Sequence, residues 1–443
     1  MSFIVDKQSL DDLNLLGKYR PGSVYSLFNQ VKTEGGGKLL EAMFGKPLQC
    51  EKQINERSRL FRYFQSLDLT FLFHPDELQW VEKYSIHSGG GLLAACIGIC
   101  RKKLAQVLVR SNQFETLELG IMGTINVLRD FKAFLQAFDG KAGPYQQQWE
   151  RATALLDSPG LASCLEGQGT ASLPMSRLIR LHAFFSGRFR QPLRELLEMI
   201  YELDCNLAIA AVARERGLGY ATAIPAAATS LSATGLRHPA LNNAVGNPLA
   251  LDKQHNLLFL TGANMAGKST WMKTIGVNLY LAHLGFPVAA TTFEFSVMEG
   301  IYSSINVPDN IGKGYSHFYA EVLRVKEVAV DVQAGKRLLV LFDELFKGTN
   351  VQDAYDATLA VMEAFAGYRE CLFVVSTHII EVGEALSART ANTVFSYLPT
   401  VMDGARPRYT YRLTPGITSD RQGMMIIENE GILNIINGKQ QER

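Results

Sequence analysis

The sequence of 443 residues predicts an α-helical core and lever domain over residues 1–235, followed by an α/β domain over 236–443. Three observations carry this reading. The chain is too long for one core of ordinary size. Its first half repeats apolar residues at helical spacing. From about Leu236 onward, short apolar runs alternate with helical patterns, as a mainly parallel sheet requires.

In order along the chain, "GSVYSLFNQV" offers Ser23 as a cap for a helix faced by Val24, Leu27, Phe28 and Val31. The glycines at 35–37 are expected to break it, and "KLLEAMF" to resume a helix that ends at Gly45 and Pro47. Ile121, Ile125, Leu128, Phe131, Leu135 and Phe138 form a second stripe, and Leu193, Leu197, Ile200, Leu203 and Leu207 a third. As one helix, the span from Leu193 to Arg214 would be roughly 33 Å long. Long helices with a narrow apolar seam pack on each other as a rod or bundle. After Arg216, "GLGYATAIPAAATSLSATG" carries no charge and reads as a crossing between domains. Beyond it, 257–261, 338–342 and 371–375 are predicted strands.

Composition narrows the function classes. A net charge of +1 exerts no global pull toward nucleic acid or membrane, so any such contact must be local. The six cysteines show no CxxC or Cys/His cluster, which points away from a cysteine metal site and toward a reducing compartment. No basic segment followed by an apolar stretch opens the chain. The run "GGGLLAACIGIC" is much shorter than the ~20 apolar residues a span needs. A soluble, cytoplasmic protein without a membrane partner is expected.

Chemistry concentrates in the second half. "GANMAGKS" fits GxxxxGK[ST] at Gly262, Gly267, Lys268 and Ser269, between an apolar strand and a helix. Glycines there let backbone N–H groups turn onto phosphates, Lys268 reaches the β- and γ-phosphates, and Ser269 offers a hydroxyl to Mg²⁺. Asn264 and Thr270 complete the cofactor-binding loop, so ATP and Mg²⁺ are the expected ligands. The strand Leu338–Phe342 delivers Asp343 and Glu344 to its carboxyl end. There Asp343 would hold Mg²⁺, directly or through water, and Glu344 would orient and polarise the attacking water. "CLFVVSTH" is a further strand, and His378 at its end can reach the γ-phosphate.

The order of glycine loop, "DE" strand and strand-plus-histidine is that of ABC-type P-loop ATPases, but "LSGGQ" is missing between the first two. Instead "TGANMAGKST", "GYSHFYAE", "DELFKGTN" and "STH" resemble the four ATPase motifs of the MutS family of DNA mismatch-repair proteins. "GLRHPAL" resembles that family's entry to the ATPase domain, "GSVYSLFNQVKTEGGGKLLEAMFGKPL" the start of its helical core, and "ELDCNLAIAAVARERG" the end of its lever helix. The resemblance implies a homodimer in which each ATPase domain completes the other's site. It puts Ser316 at the γ-phosphate of the neighbouring subunit and Thr349, Asn350 and Asp353 on the loop crossing to it. Tyr411 is implied as a packing surface for adenine, since Ala244 stands where the family usually has a stacking aromatic. Further departures are Phe346 and Lys347 in place of a glycine–arginine pair, and Tyr315 in place of an arginine.

The family's Phe-x-Glu wedge for mismatches is absent; the sole Phe-x-Glu is Phe342-Asp343-Glu344. A shortened member without the mismatch-recognition domain, and without a full clamp, is therefore expected. For DNA contact the sequence offers Arg177, Arg180, Arg188, Arg190 and Arg194, interleaved with Phe184, Phe185 and Phe189. A solvated helix face with core aromatics would give the same pattern. Two functions follow: a DNA-repair or recombination ATPase acting on branched or damaged DNA, and a nucleotide-gated module that holds a protein or ribonucleoprotein partner.

Overall fold

The computed structural model describes residues 3–17, 22–67, 69–86, 92–109, 112–137, 143–165, 173–305, 317–403, 406–418 and 432–436. The chain divides into two compact units. One comprises Met1–Phe28, Lys46–Ser58 and Ala213–Arg443; the other comprises Asn29–Gly45 and Arg59–Val212.

In the first unit a seven-stranded sheet runs in the order Ile4–Val5, Gly300–Ser304, Leu338–Asp343, Leu372–Ser376, Leu257–Gly262, Thr393–Leu398, Thr414–Pro415. All neighbours are parallel except the last pair. The three central strands are apolar runs with almost no exposed residue, because helices cover the sheet. Leu338, Val340 and Phe342 alternate into one core with Val325, Val328 and Val332 of the helix His317–Gln333 and with Leu359, Met362 and Phe365 of Val351–Ala366. The helix Lys268–His283, buried over most of its length, follows the glycine loop.

The N-terminal segment belongs to this unit, whereas composition placed everything before residue 235 with the helical half. Its placement has a specific cause. Ile4 and Val5 pair parallel to Gly300 and Ile301. The buried Asp12 carboxylate accepts from Ser303 Oγ at 3.1 Å and the Ile305 N–H at 2.9 Å. Arg324, with a side chain only 4% exposed, donates to Asp6 Oδ2 at 2.8 Å and to the Ser303 carbonyl at 2.8 Å. The uncharged stretch after Arg216 also departs from expectation. It supplies Thr222–Ile224 and Leu231–Leu236 to a four-stranded sheet with Thr292–Ser296 and Asn247–Leu251. Alternating burial along Leu231–Leu236 marks it as a half-buried strand.

The second unit is helical around one core that holds most of the second and third stripes. The second stripe lies on Gln113–Gln136 and the third on Arg190–Glu215; Phe138 falls outside the described residues. The glycines at 35–37 do not break a helix but start one, Glu34–Phe44. Thr33 caps it, and the Asp204 carboxylate accepts from the N–H groups of Lys32 and Thr33 at 2.9 and 2.7 Å. A Cβ at Gly35 would run into the Tyr201 ring, and one at Gly36 into Asp204. Small residues are thus required by the neighbour; the Thr33 cap, itself held by Asp204, partly offsets their poor helix propensity. The Ser23-capped helix is shorter than expected, Val24–Phe28, so Val31 lies beyond it.

Candidate active site

Parallel register brings the expected residues to one edge. Asp343 is paired with Ser376, and Ser376 with Leu260, so the acid strand, the histidine strand and the strand before the glycine loop end together. Ligands of open parallel sheets sit at this carboxyl edge. Met265 and Gly267 turn the loop through positive φ (71° and 103°), after which Lys268 begins the helix with no side-chain cap. Its first N–H groups are therefore available to an anion.

Lys268 is buried, and its ammonium donates to the Gly262 and Ala263 carbonyls at 2.9 and 3.3 Å. Desolvation pushes its pKa below the ordinary lysine value, an effect that the nearby Glu344 and Asp343 carboxylates partly oppose. Asp343 Oδ1 and Ser376 Oγ are buried without a hydrogen-bond partner among the described residues. An orphaned carboxylate oxygen of this kind costs stability unless water or a cation meets it, so the donor set fits Mg²⁺. Glu344 holds φ 53°, and its N–H donates to the Ser376 carbonyl at 2.8 Å. Ser269 is half-buried beside Lys268, while Asn264 and Thr270 are exposed on the loop and the first helical turn.

Tyr411 joins this edge. A Cβ on Gly267 would lie 3.2 Å from its ring, and its own backbone is left-handed at φ 55°. Asn247 fixes it there: Asn247 Nδ2 donates to the Tyr411 carbonyl at 2.9 Å, and the Leu413 N–H donates to Asn247 Oδ1 at 2.8 Å. Sequence reasoning passed over Asn247, whose signal was the asparagine of the "NP" pair after Ala244. A cavity of about 330 Å³ opens here, bounded among others by Ala244, Ala266, Thr270, Trp271 and Tyr411. That volume suits a nucleotide base.

Other expected residues are less closely joined. His378 is exposed two residues past Ser376, with no hydrogen bond to another described residue. Ser316 and Tyr315 lie outside the described residues. Asn350 caps the helix Val351–Ala366 through Asp353 N–H at 2.9 Å. In the helical unit, Arg177 is half-buried, and Arg180, Arg188, Arg190 and Arg194 are exposed on and between Met175–Ser186 and Arg190–Glu215. Their interleaved aromatics face inward. Phe185 and Phe189 are buried in the core, and the half-buried Phe184 packs against it, stacked on Phe189 at 5.0 Å.

Among the described residues no His, Cys, Asp and Glu cluster holds a metal in the usual way, and no helix is long and apolar enough to cross a membrane. Residues 258–442 match the MutS domain V family. The chain is 30% identical over 244 residues to the DNA mismatch repair protein MutS of Thermus thermophilus, covering 55% of this chain and 29% of that protein. It is 29% identical over 242 residues to MutS of Chlorobium phaeobacteroides, covering 53% and 27%. It is 27% identical over 247 residues to the DNA mismatch repair protein spellchecker 1 of Drosophila melanogaster, covering 54% and 26%. The chain thus spans under a third of the length of these curated relatives. Residues 258–442, whose motifs meet at one sheet edge, thus match MutS domain V, and over this region the chain is similar to MutS-family proteins.

Proposed function

We propose that the chain hydrolyses ATP with Mg²⁺ at a P-loop site of ABC type, as a homodimer that acts on DNA in repair. The observation that supports this reading is the parallel register that ends the strand before the glycine loop, the strand to Asp343 and the strand to Ser376 at one sheet edge. The Lys268 ammonium, now on the Gly262 and Ala263 carbonyls, would exchange these for the β- and γ-phosphate oxygens. Backbone N–H groups at the start of Lys268–His283 would complete the phosphate cradle. Ser269 and Asp343 would hold Mg²⁺, which when bound neutralises charge on the phosphates. Glu344 would orient a water in line with the γ-phosphorus and accept its proton, with His378 steadying the γ-phosphate. Tyr411 would lie against adenine, and Ser316 of a second copy would approach the γ-phosphate from across the dimer.

A second reading, a nucleotide-gated module that holds a protein or ribonucleoprotein, is favoured by one observation. Of the aromatics among the arginines, Phe185 and Phe189 are core residues and Phe184 packs against that core, so they are engaged in packing and not arrayed as a stacking platform for bases. Exposed arginines can still follow a phosphate backbone.

The test is ATP turnover with Mg²⁺ by the unaltered chain, Glu344→Gln and Lys268→Ala. Turnover lost in Glu344→Gln with nucleotide binding retained, and binding itself weakened in Lys268→Ala, is the expected pattern. Unchanged turnover in Glu344→Gln removes it from its role. Salt-dependent binding to homoduplex, mismatched and four-way-junction DNA, with and without ATP, separates the two readings.

A further inference from the structure

Phe342, Val375 and Phe259 all belong to the core that the helices His317–Gln333 and Val351–Ala366 build on one face of the parallel sheet. Side chains alternate along a strand, so the next residues, Asp343, Ser376 and Leu260, project from the opposite face. That face carries the helix Lys268–His283: a Cβ on its Gly276 would lie 2.9 Å from Leu341 Cδ1. Parallel pairing sets Ser376 between Leu260 and Asp343. Neighbouring strands lie about 4.8 Å apart, so the three side chains stand side by side. Of the two neighbours, only Asp343 can accept a hydrogen bond. Ser376 is fully buried, and its Oγ has no hydrogen-bond partner among the described residues; Asp343 Oδ1 is buried and has none either. The backbone that carries them is fixed. The Glu344 N–H donates to the Ser376 carbonyl at 2.8 Å, and the Thr377 N–H to the Leu260 carbonyl at 3.3 Å. The Lys268 ammonium is taken up by the Gly262 and Ala263 carbonyls. A buried donor without an acceptor thus stands beside a buried acceptor without a donor, each costly to leave unmet.

We infer that Ser376 is a positioning residue for Asp343. The inference rests on the reading of Asp343 as a Mg²⁺ ligand. When one carboxylate oxygen meets the cation, the other still has to be met. The Ser376 hydroxyl, which turns about a single side-chain bond, donates to it. That bond fixes the plane of the carboxylate. The serine therefore sets how tightly this strand end takes a divalent cation, without being a ligand itself.

The test uses Mn²⁺ in place of Mg²⁺, followed by electron paramagnetic resonance. Mn²⁺ is titrated into the full chain with adenylyl imidodiphosphate, an ATP analogue that is not hydrolysed. The unaltered protein is compared with Ser376→Ala, which removes one oxygen from a small buried side chain, and with Ser376→Thr, which keeps the hydroxyl. A fluorescent form of the analogue gives the nucleotide affinity without metal. The expected result is a Mn²⁺ affinity roughly tenfold weaker in Ser376→Ala and largely restored in Ser376→Thr, with the metal-free nucleotide affinity unchanged. Undiminished Mn²⁺ affinity in the folded Ser376→Ala variant overturns the inference and leaves the ATPase reading in place. Equal weakening of both affinities also overturns it, because it marks a general disturbance of the sheet edge. An unaltered chain that binds neither Mn²⁺ nor the analogue overturns both.

Discussion

The ring of Phe346 lies 5.9 Å from that of Phe318, while the Phe346 backbone is held left-handed at φ 60°. Family resemblance leads one to expect glycine at 346, which adopts that conformation without strain. Phe346 is 3% exposed. Its burial against the helix His317–Gln333 offsets the backbone cost and ties the acid loop to that helix. Gly348 tightens the same contact, since a Cβ there would press on the Phe318 backbone.

An ordering of variants follows. Phe346→Ala keeps the strained backbone and loses the ring, whereas Phe346→Gly loses the ring and releases the strain. Phe346→Gly should therefore be the more stable of the two by about 1 kcal/mol, although it removes one more carbon. Denaturant unfolding gives the order. Phe346→Ala as the more stable variant would show that the position carries no strain.

Asn247 and Tyr411 should behave as one unit. Asn247→Ala leaves the Tyr411 carbonyl and the Leu413 N–H unmet, and each such loss costs about 1–3 kcal/mol where the group stays buried. Nucleotide affinity should fall in Asn247→Ala and in Tyr411→Ala, and fall little further in the double variant. Additive losses in a fluorescent-nucleotide titration would mean that Asn247 does not act through the tyrosine.

Arg324 holds the first residues of the chain to the sheet edge. Arg324→Leu leaves Asp6 and the Ser303 carbonyl without their buried donor, a loss of about 3–5 kcal/mol for a buried pair broken on one side. Hydrogen exchange should accelerate first along Gly300–Ser304. Unchanged protection there would count against this anchoring role.

Acid should weaken the same unit through His283. It is completely buried: its Nδ1 is 2.9 Å from the Leu48 carbonyl, and its Nε2 accepts the Met298 N–H at 3.3 Å. Burial drives its pKa from 6.5 down to about 4. The folded value is the lower one, so the stabilising term is complete above pH 6.5 and is lost as pH falls through about 4. The full effect is about 3 kcal/mol. His283→Gln should flatten the stability profile between those limits, and an unchanged slope would assign the acid sensitivity to other groups.

What could be read from the sequence was local. The glycine loop and the strands ending at Asp343 and Ser376 declare themselves by apolar runs next to residues with special backbone or charge demands, and the register joins them. The two-residue strand Ile4–Val5 has no such pattern; its strand character comes from Gly300 and Ile301, far along the chain. Glycines 35–37 looked like a break because Asp204 and Tyr201, which make that helix start possible, are remote in sequence. The arginine and phenylalanine run could not be divided by pattern alone, since core packing and base stacking use the same aromatics. The 330 Å³ cavity beside Tyr411 depends on Asn247 holding a loop more than a hundred residues away, which no local spacing encodes.

Pairing of Ile4 with Gly300 also sets an order on folding. During synthesis the first strand leaves the ribosome long before its neighbour exists, and the helical unit is made in between. Contacts so distant in sequence slow folding, although the closure entropy itself grows only slowly with length. Until Ile4 and Val5 dock, Gly300–Ser304 remains an unpaired sheet edge able to recruit another chain. The opening residues therefore act as a late seal, and slow arrival of that seal should make newly made chains more prone to aggregation than the finished fold.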